Sequence, residues 1–314
     1  MSKKMKLGEI GEIVSGSTPK TNIKEYWDGE ILWVTPAEIQ EDDYYIADTQ
    51  RKITNLAVEK TNLKLLPKGT VLLSSRAPIG KVAICDNDMY CNQGFKNIIC
   101  SDRMENRYVY YFLKHNVEYI KSLGRGATFK EISKGIVENL EIPYRGKKEQ
   151  IEIANKLDKI TEILKIRKQQ IKQFDEIIKS QFVEMFETEK RYVKLEDVCI
   201  FINGDRGKNY PSADKISKNS NGVPFINAGL LTNNTVDWEN MNYISEETYN
   251  KLRAGKIQKD DILYCLRGSL GKHAIIDFDN KGAIASSLVI LRANQNKIQP
   301  NFLLIQLGMG EIIR

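Results

Sequence analysis

The longest regular pattern of apolar residues lies in the middle of the chain. No proline or glycine occurs between residues 147 and 189, and residues that favour helix dominate this stretch. Side chains recur at alternating spacings of three and four residues, which is the seam pattern of a coiled coil. Two seam positions are polar, Arg167 and Gln181. The apolar members are Ile153, Leu157, Ile160, Leu164, Ile171, Phe174, Ile178 and Met185.

This pattern predicts one long helix that starts after Pro143 and Gly146. About 40 residues at ~1.5 Å each would span roughly 60 Å. A core helix of a larger domain is the alternative interpretation. Because the stretch lies between two sections that are rich in glycine and short strand patterns, we favour a spacer helix.

The sections on either side predict short strands and short helices. Runs of β-favouring residues occur at 71–75, 81–85, 262–266 and 273–277, each bounded by turn residues. Apolar and aromatic residues recur at helical spacing over 108–120, and a weaker helix, interrupted by glycine, is expected over 130–140. The fold class is therefore α+β.

The two outer sections are copies of each other. LGEIGEIVSGSTPK (7–20) matches LEDVCIFINGDRGK (195–208), and ILWVTPAEI (31–39) matches VPFINAGLL (223–231). KGTVLLSSRAPIGKVAI (68–84) matches KDDILYCLRGSLGKHAI (259–275). The order is kept and the offset stays between 188 and 192 residues, so we infer a duplication. The predicted domains are 1–146, a helical spacer over 147–190, and 191–314, in which the second repeat is expected to lack its last helix.

Composition and charge exclude several classes of protein. The 47 Lys and Arg residues exceed the 41 Asp and Glu residues, giving a net charge of +6. This is too mild for a histone-like chain but compatible with a localised phosphate-binding face. No apolar run approaches the ~18 residues of a membrane span, and the first residues do not resemble a signal peptide. Five cysteines without a C-x-x-C pair favour a reducing cytoplasm.

No catalytic motif is recognisable in the sequence. The pairs Gly80-Lys81 and Gly271-Lys272 are followed by Val and His rather than by the Ser or Thr of a phosphate-binding loop. With only two histidines, the chain cannot form a multi-histidine metal site. We therefore expect no cofactor, no metal and no active site of its own.

Basic and amide residues at equivalent positions of the repeats are the candidate DNA-binding groups. Arg76 and Lys81 correspond to Arg267 and Lys272, and each pair brackets a turn that contains glycine. Such an arginine can read a guanine edge or hold a phosphate, although it could equally be satisfied by local carbonyls. The predicted DNA-binding residues are Lys20, Arg76, Lys81, Asn92, Gln93, Arg125, Thr128, Lys208, Arg267, Lys272 and Ser286.

Taken together, the motifs resemble the DNA-specificity subunits of type I restriction-modification systems. The resemblance rests on the matched segments above, on NQGF (92–95), GATFKEIS (126–133) and KKEQIEIANKLDKI (147–160), and on ISEETYNKLRAGKIQ (244–258). It implies two target-recognition domains that each read half of a split site in double-stranded DNA. It also implies spacer helices that dock modification (methyltransferase) subunits and, through them, the restriction subunit.

The chain departs from the pattern of this family after residue 314, where a second spacer helix would be expected. Without that helix, the apolar seam is expected either to pair with a second copy of the chain or to be covered by a modification subunit. Two other interpretations stay open: a truncated or silent cassette that acts only as a scaffold, and a nucleic-acid-modifying enzyme with an unrecognised active site.

Overall fold

The computed structural model describes residues 3–126, 130–186, 192–232, 234–279 and 281–309. The chain divides into two compact units, residues 1–172 and 173–314, and the division falls inside the long central helix. One predicted DNA-binding residue, Thr128, lies outside the described residues, as do the last residues of the predicted spacer, 187–190.

Unit 1 is built from short strands and short helices, followed by the start of the long helix. Its strands are β1 (Lys4–Lys6), β2 (Gly11–Ser15), β3 (Trp27–Val34), β4 (Tyr45–Ile46), β5 (Lys52–Ile53), β6 (Val71–Leu73), β7 (Val82–Cys85), β8 (Tyr90–Cys91), β9 (Lys96–Cys100) and β10 (Glu141–Pro143). Its helices are α1 (Leu7–Ile10), α2 (Asn55–Lys60), α3 (Asn106–His115), α4 (Val117–Ser122), α5 (Lys134–Glu138) and the beginning of α6 (Lys147–Phe186).

Three sheets organise unit 1. The largest has the strand order β2-β9-β6-β7-β4, and its pairs are antiparallel except β4–β7. In the sheet β5-β3-β8, strand β3 pairs antiparallel with β5 and parallel with β8. Strand β1 pairs antiparallel with β10.

The largest sheet is apolar on both faces. Along β6, Val71 and Leu73 join a cluster that includes α1, α3 and α5, whereas Leu72 joins a second cluster with Phe95. Successive residues of a strand point to opposite faces, so a continuous apolar run such as β6 covers two cores at once.

The first turns of α6 are fastened to unit 1 by polar contacts. Gln150 is fully buried. Asp158, two turns further on, accepts three hydrogen bonds: from the hydroxyl of Tyr44 (2.6 Å), from the hydroxyl of Tyr111 (2.7 Å) and from Nη1 of Arg107 (2.6 Å). This part of the helix is therefore anchored to the domain that precedes it.

The seam of α6 is exposed over most of its length but not at its start. Ile153 is half-buried and packs against the core of unit 1, and Leu157 is also half-buried. Ile160 is 53% exposed and Met185 is 65% exposed. The other exposed large apolar side chains of the helix are Ile163, Leu164, Ile166, Ile171, Phe174, Ile177, Ile178 and Val183. This apolar surface is wider than the predicted seam.

Unit 2 contains the end of α6 and a second set of short elements. These are α7 (Leu195–Val198), β11 (Cys199–Asn203), β12 (Val223–Ile226), β13 (Leu231–Thr232), β14 (Thr235–Val236), β15 (Tyr243–Ile244), α8 (Glu246–Lys251), β16 (Ile262–Cys265), β17 (His273–Ile275), β18 (Ala283–Ile284), β19 (Leu288–Ala293) and α9 (Pro300–Gly308). Near the end of α6, the rings of Phe182 and Phe186 lie 5.6 and 5.4 Å from the ring of Phe302 in α9.

The sheets of unit 2 repeat those of unit 1. Strands β11-β19-β16-β17 follow the same order as β2-β9-β6-β7, and β15-β12-β18 follow the order of β5-β3-β8. The register also matches, since Trp33 pairs with Tyr90 in unit 1 and Phe225 pairs with Ala283 in unit 2. The mixed α+β fold and the duplication inferred from the sequence are confirmed.

Two helix predictions need correction. The stretch 108–120 forms α3 and α4, separated at Asn116, whose side-chain amide donates to the carbonyl of Phe112 (2.7 Å). The stretch 130–140 forms only α5, because the hydroxyl of Ser133 accepts a hydrogen bond from the N–H of Ile136 (3.3 Å) and caps the helix there. Within the described residues, no helix combines the length and apolar character that a membrane crossing requires.

Candidate nucleic-acid interface

Several loops of unit 1 meet at one end of its sheets. The N–H of Ser17 donates to the carbonyl of Cys91 (2.9 Å), and the N–H of Ser75 donates to that of Gly94 (2.7 Å). The N–H of Ile132 in turn donates to the carbonyl of Ser75 (3.0 Å). We call these segments the first loop edge. It consists of residues 16–20, 35–38, 74–81, 92–95, 125–126 and 130–132.

Two tryptophans hold the 16–20 turn in place. The indole N–H of Trp27 donates to the carbonyl of Lys20, and that of Trp33 donates to the carbonyl of Ser17, both at 3.2 Å. A Cβ on Gly16 would lie 1.9 Å from a carbonyl oxygen of the 92–95 segment, so this close approach requires glycine. The turn is thus rigidly placed with the side chain of Lys20 exposed.

The turn with Arg76 at its tip is closed by Ser74 and Lys81. The N–H of Ser74 donates to the carbonyl of Lys81 (2.9 Å), and the hydroxyl of Ser74 accepts from the N–H of Lys81 (2.8 Å). The ammonium group of Lys81 donates to the carbonyl of Pro36 (2.9 Å). Lys81 therefore has a structural role in joining two loops, while Arg76 is partly exposed.

Glu131 stands between two of the predicted DNA-binding arginines. Its backbone forms antiparallel bridges with Arg76 and with Arg125. Its carboxylate accepts from the ammonium group of Lys96 (3.1 Å), which is itself buried against the hydroxyl of Ser75. Glu131 therefore lies opposite both arginines in the backbone ladder, while its carboxylate is paired with Lys96.

The predicted amide residues are partly engaged in local contacts. The side-chain oxygen of Asn92 accepts from the N–H of Gly94 (2.8 Å), and that of Gln93 accepts from the hydroxyl of Thr18. An amide group also has two N–H donors, which remain the groups suited to bind a base or a phosphate.

Unit 2 has an equivalent second loop edge, formed by residues 204–209, 227–230, 265–272 and 285–287. The N–H of Cys265 donates to the carbonyl of Lys272 (2.8 Å), and the N–H of Leu266 donates to that of Ser287 (2.9 Å). These bonds reproduce those of residues 74 and 75, so Arg267 takes the place of Arg76. The side chains of Lys208, Arg267 and Lys272 are exposed, and Ser286 is half-buried.

Comparison with known families identifies the fold. The family described as "Type I restriction modification DNA specificity domain" matches residues 2–174 and 187–311. The chain belongs to this family. Its resemblance to type I specificity subunits, inferred from the sequence, is therefore confirmed.

Curated relatives of this specificity-domain chain cover only part of it. The MjaIX specificity subunit of Methanocaldococcus jannaschii is 42% identical over 184 residues, which are 58% of the chain and 42% of the relative. The putative MjaX specificity subunit of the same organism is 31% identical over 133 residues, 42% of the chain and 31% of the relative. The matched regions thus span less than half the length of either relative.

Two solved structures share the specificity-domain fold. The crystal structure of a type I restriction-modification S subunit from M. genitalium covers 98% of the chain and 77% of its own length, with 18% identity and a TM-score of 0.52. A second structure, described as the structural basis of complex assembly and conformational transition of the type I R-M system, covers 98% of the chain and 79% of its own length. Its identity is 16% and its TM-score is 0.53.

Sequence reasoning missed a carboxylate that organises the second loop edge of this specificity domain. The side chain of Asp205 is 5% exposed. Its two oxygens accept from the N–H groups of Arg206 and Arg253, each at 2.7 Å. The guanidinium of Arg206 reaches the carbonyl of Ser286 (3.4 Å), and the side chain of Arg253 is exposed. The sequence shows only that Asp205 is an acid that follows strand β11. Because acids follow many strands, this position does not by itself predict such a role.

Two cysteines of the specificity domain, Cys91 and Cys100, are poor nucleophiles. Burial raises the pKa of Cys91 and of Cys100 to about 12, so both thiols stay protonated near neutral pH. Over the described ranges, no group of three or more His, Cys, Asp or Glu residues is placed to hold a metal ion.

Proposed function

We propose that this chain is the DNA-recognition subunit of a type I restriction-modification complex and that each loop edge reads one half of a split target in double-stranded DNA. The observation that carries this proposal is the pair of loop edges with the same hydrogen-bonding pattern, each presenting an arginine, in a chain of the specificity family. The domains proposed are 1–146 and 191–314, with the spacer over 147–190.

Within each edge, we assign direct DNA contacts first to the exposed cations. Lys20, Arg125, Lys208, Arg267 and Lys272 are exposed at the loop edges, as expected of phosphate contacts, which position a protein on the duplex. Arg76, Asn92 and Ser286 are half-buried in the loops, and together with the exposed amide of Gln93 they are the proposed base-reading groups. Thr128 stays a proposed contact from the sequence alone.

Two further residues join the proposed interface. The backbone N–H groups of Arg206 and Arg253 both donate to the buried carboxylate of Asp205, which fixes the backbone from which these two side chains extend. Two guanidinium groups held close together can bind adjacent phosphates of one strand. The second loop edge thus gains two cations that have no basic counterpart in the first repeat.

The exposed part of α6 is the proposed docking surface for modification subunits and, through them, for the restriction subunit. Ten large apolar side chains are exposed from Ile160 to Met185, and an apolar surface of this extent marks an interaction site. The chain itself is proposed to be non-catalytic, without a cofactor, and to act in the cytoplasm.

Sequencing the methylated bases of a host that expresses this chain with its modification subunits tests the proposal. We expect one bipartite motif with two specified halves and an unspecified spacer. The motif should disappear when the chain is deleted. A pure scaffold would leave no motif that depends on residues of the loop edges. An enzyme in its own right would modify DNA without any partner subunit.

A further inference from the structure

Arg51 lies beside the first loop edge with its guanidinium group against two indole rings. The central carbon of the guanidinium is 3.8 Å from the ring centroid of Trp27 and 5.4 Å from that of Trp33. Both rings are buried, whereas the arginine is exposed. Because a cation is attracted to the negative face of an indole, the two rings fix the orientation of this side chain.

The N–H groups of this guanidinium are available to a ligand. Among the residues that the structure describes, no carboxylate pairs with Arg51 and no acceptor takes a hydrogen bond from its side chain. The acid that is nearest along the chain, Asp48, pairs with Lys52 at 3.0 Å. Since arginine has five N–H donors and no acceptor, Arg51 can bind an anion without giving up a bond within the described part of the chain.

The backbone that carries Arg51 is tied to the first loop edge. The carboxylate of Glu38, a residue of that edge, accepts from the N–H of Gln50 (2.6 Å) and from the N–H of Thr35 (2.7 Å). The hydroxyl of Thr49, which is buried, donates to the carbonyl of Arg51 (2.8 Å). Hydrogen bonds to its own carbonyl and to the preceding residue therefore set the position of Arg51 relative to the edge.

Trp27 connects the same arginine to the 16–20 turn. Its indole N–H donates to the carbonyl of Lys20 (3.2 Å), so this one ring has the guanidinium of Arg51 over its face and the backbone of Lys20 at its rim. The side chain of Lys20 is exposed. Two cationic residues are thus held against a single indole, at the edge that is proposed to meet DNA.

We propose that Arg51 binds a phosphate of the DNA backbone beside the half-site that unit 1 reads. This inference rests on the proposed function, in which the first loop edge faces the duplex. A guanidinium group matches the oxygens of a phosphate with two parallel N–H donors. Because the indoles already orient this side chain, less conformational entropy is lost when it binds.

The proposed contact has no charged equivalent in unit 2. Strand β5 pairs with β3 in unit 1 as β15 pairs with β12 in unit 2, and this register places Asn242 where unit 1 has Arg51. The phosphate that Arg51 binds is therefore expected to flank only the half-site that depends on Arg76.

Two substitutions separate the charge of Arg51 from its packing on the indoles. Arg51→Met keeps a long side chain without the charge, and Arg51→Lys keeps the charge. Binding of the assembled complex to a duplex of random sequence is titrated at several salt concentrations. We expect Arg51→Met to lower the salt slope by about one and to weaken binding about eightfold at ~0.1 M salt, because one phosphate contact contributes a slope of ~0.9. Arg51→Lys should keep the slope of the wild type.

Lys60→Ala is the control for the loss of a positive charge. Lys60 is exposed at the end of α2, which follows β5. Because β5 runs antiparallel to β3, α2 lies at the end of this sheet that is away from residues 35–38. The control should keep the affinity and the salt slope of the wild type. Circular dichroism checks that each variant is folded.

A modified duplex identifies the contact directly. Once the methylated motif is known, single phosphates beside it are replaced by neutral methylphosphonates. One replacement should weaken binding of the wild type about as much as Arg51→Met does, and it should not weaken binding of the Arg51→Met variant further. Its position should flank the half-site that Arg76→Ala affects.

Two results would overturn the inference. The first is an Arg51→Met variant with the affinity and salt slope of the wild type, because Arg51 would then only cover the indoles. The second is an equal loss in Arg51→Met and Arg51→Lys without any methylphosphonate that distinguishes them from the wild type, which would show a structural role. In both cases a bipartite methylation motif would leave the proposed function intact, whereas the absence of any such motif would remove both.

Discussion

Arg76 and Arg267 occupy the same place in the two units. In unit 1 the N–H of Ser74 donates to the carbonyl of Lys81, and in unit 2 the N–H of Cys265 donates to the carbonyl of Lys272. Each arginine lies two residues after the donor of its turn. Gly80 and Gly271 precede these lysines with φ values of +95° and +83°, a conformation that glycine adopts without strain. The two arginines are therefore equivalent because the turn that carries each of them has the same hydrogen bond and the same glycine conformation.

This equivalence predicts parallel losses of DNA binding. Arg76→Ala should weaken recognition of one half-site, and Arg267→Ala should weaken the other. A contact to a base would cost about 1–3 kcal/mol and relax specificity at one position, whereas a phosphate contact would weaken all sequences and lower the salt slope by about one. Mobility-shift titrations of the assembled complex at several salt concentrations measure both quantities.

Arg103→Ala is the matched control for these two variants. Arg103 is exposed and follows β9 at the end of the sheet away from the first loop edge. Its loss should leave the affinity and the salt slope close to those of the wild type. Equal effects of all three substitutions would show that the turn arginines have no special role.

Asp158→Ala should destabilise unit 1. The substitution leaves the hydroxyls of Tyr44 and Tyr111 and the guanidinium of Arg107 without their shared acceptor. We expect a loss of about 1.5–3 kcal/mol, the range for hydrogen bonds to a charged group. Urea unfolding followed by tryptophan fluorescence measures it. Asp175→Ala, at an exposed position of the same helix, should change the unfolding midpoint little.

Stability should fall at alkaline pH because of buried tyrosines. Burial raises the pKa of Tyr44 and of Tyr110. Tyrosines of the unfolded chain ionise near pH ~10, while these two keep their protons in the folded state. Their contribution is therefore complete below pH ~10 and declines as the pH rises further, by at most about 1.4 kcal/mol per pH unit for one group.

Tyr110→Phe isolates this effect from the titration of lysines over the same pH range. The variant should have a shallower decline of the free energy of unfolding between pH ~9.5 and ~11 than the wild type. Urea midpoints across this range give both slopes, and parallel slopes would contradict the prediction.

Ile160→Asp combined with Ile171→Asp should abolish association through α6. Both residues are exposed members of the seam, and a charge in an apolar interface is costly. We expect the double variant to lose binding to modification subunits by at least about tenfold and to lose self-association. Sedimentation and pull-down assays measure the two effects, and Gln169→Asp, an exposed substitution on the same helix, is the control. A wild-type chain that sediments as a folded monomer at micromolar concentration would contradict self-pairing.

The sequence alone determined the duplication, the long helix and the turn arginines. These features follow from local patterns, namely apolar periodicity, the absence of proline and glycine from 147 to 189, and glycine in the turns. Strand and helix type depend mostly on such short-range preferences, so the sequence predicts the order of the elements and the equivalence of Arg76 and Arg267.

The tertiary structure decided which polar groups hold the fold and which are exposed at the loop edges. Glu131 and Asp205 look like any other acid in the sequence, yet one joins Lys96 and the other fixes two arginines. Ile153 fits the helical seam as well as Ile160 does, but it packs against the core of unit 1. These roles depend on contacts between residues far apart along the chain. Only the packed structure brings such residues together, because burial and hydrogen-bond partners are set by packing and not by local pattern.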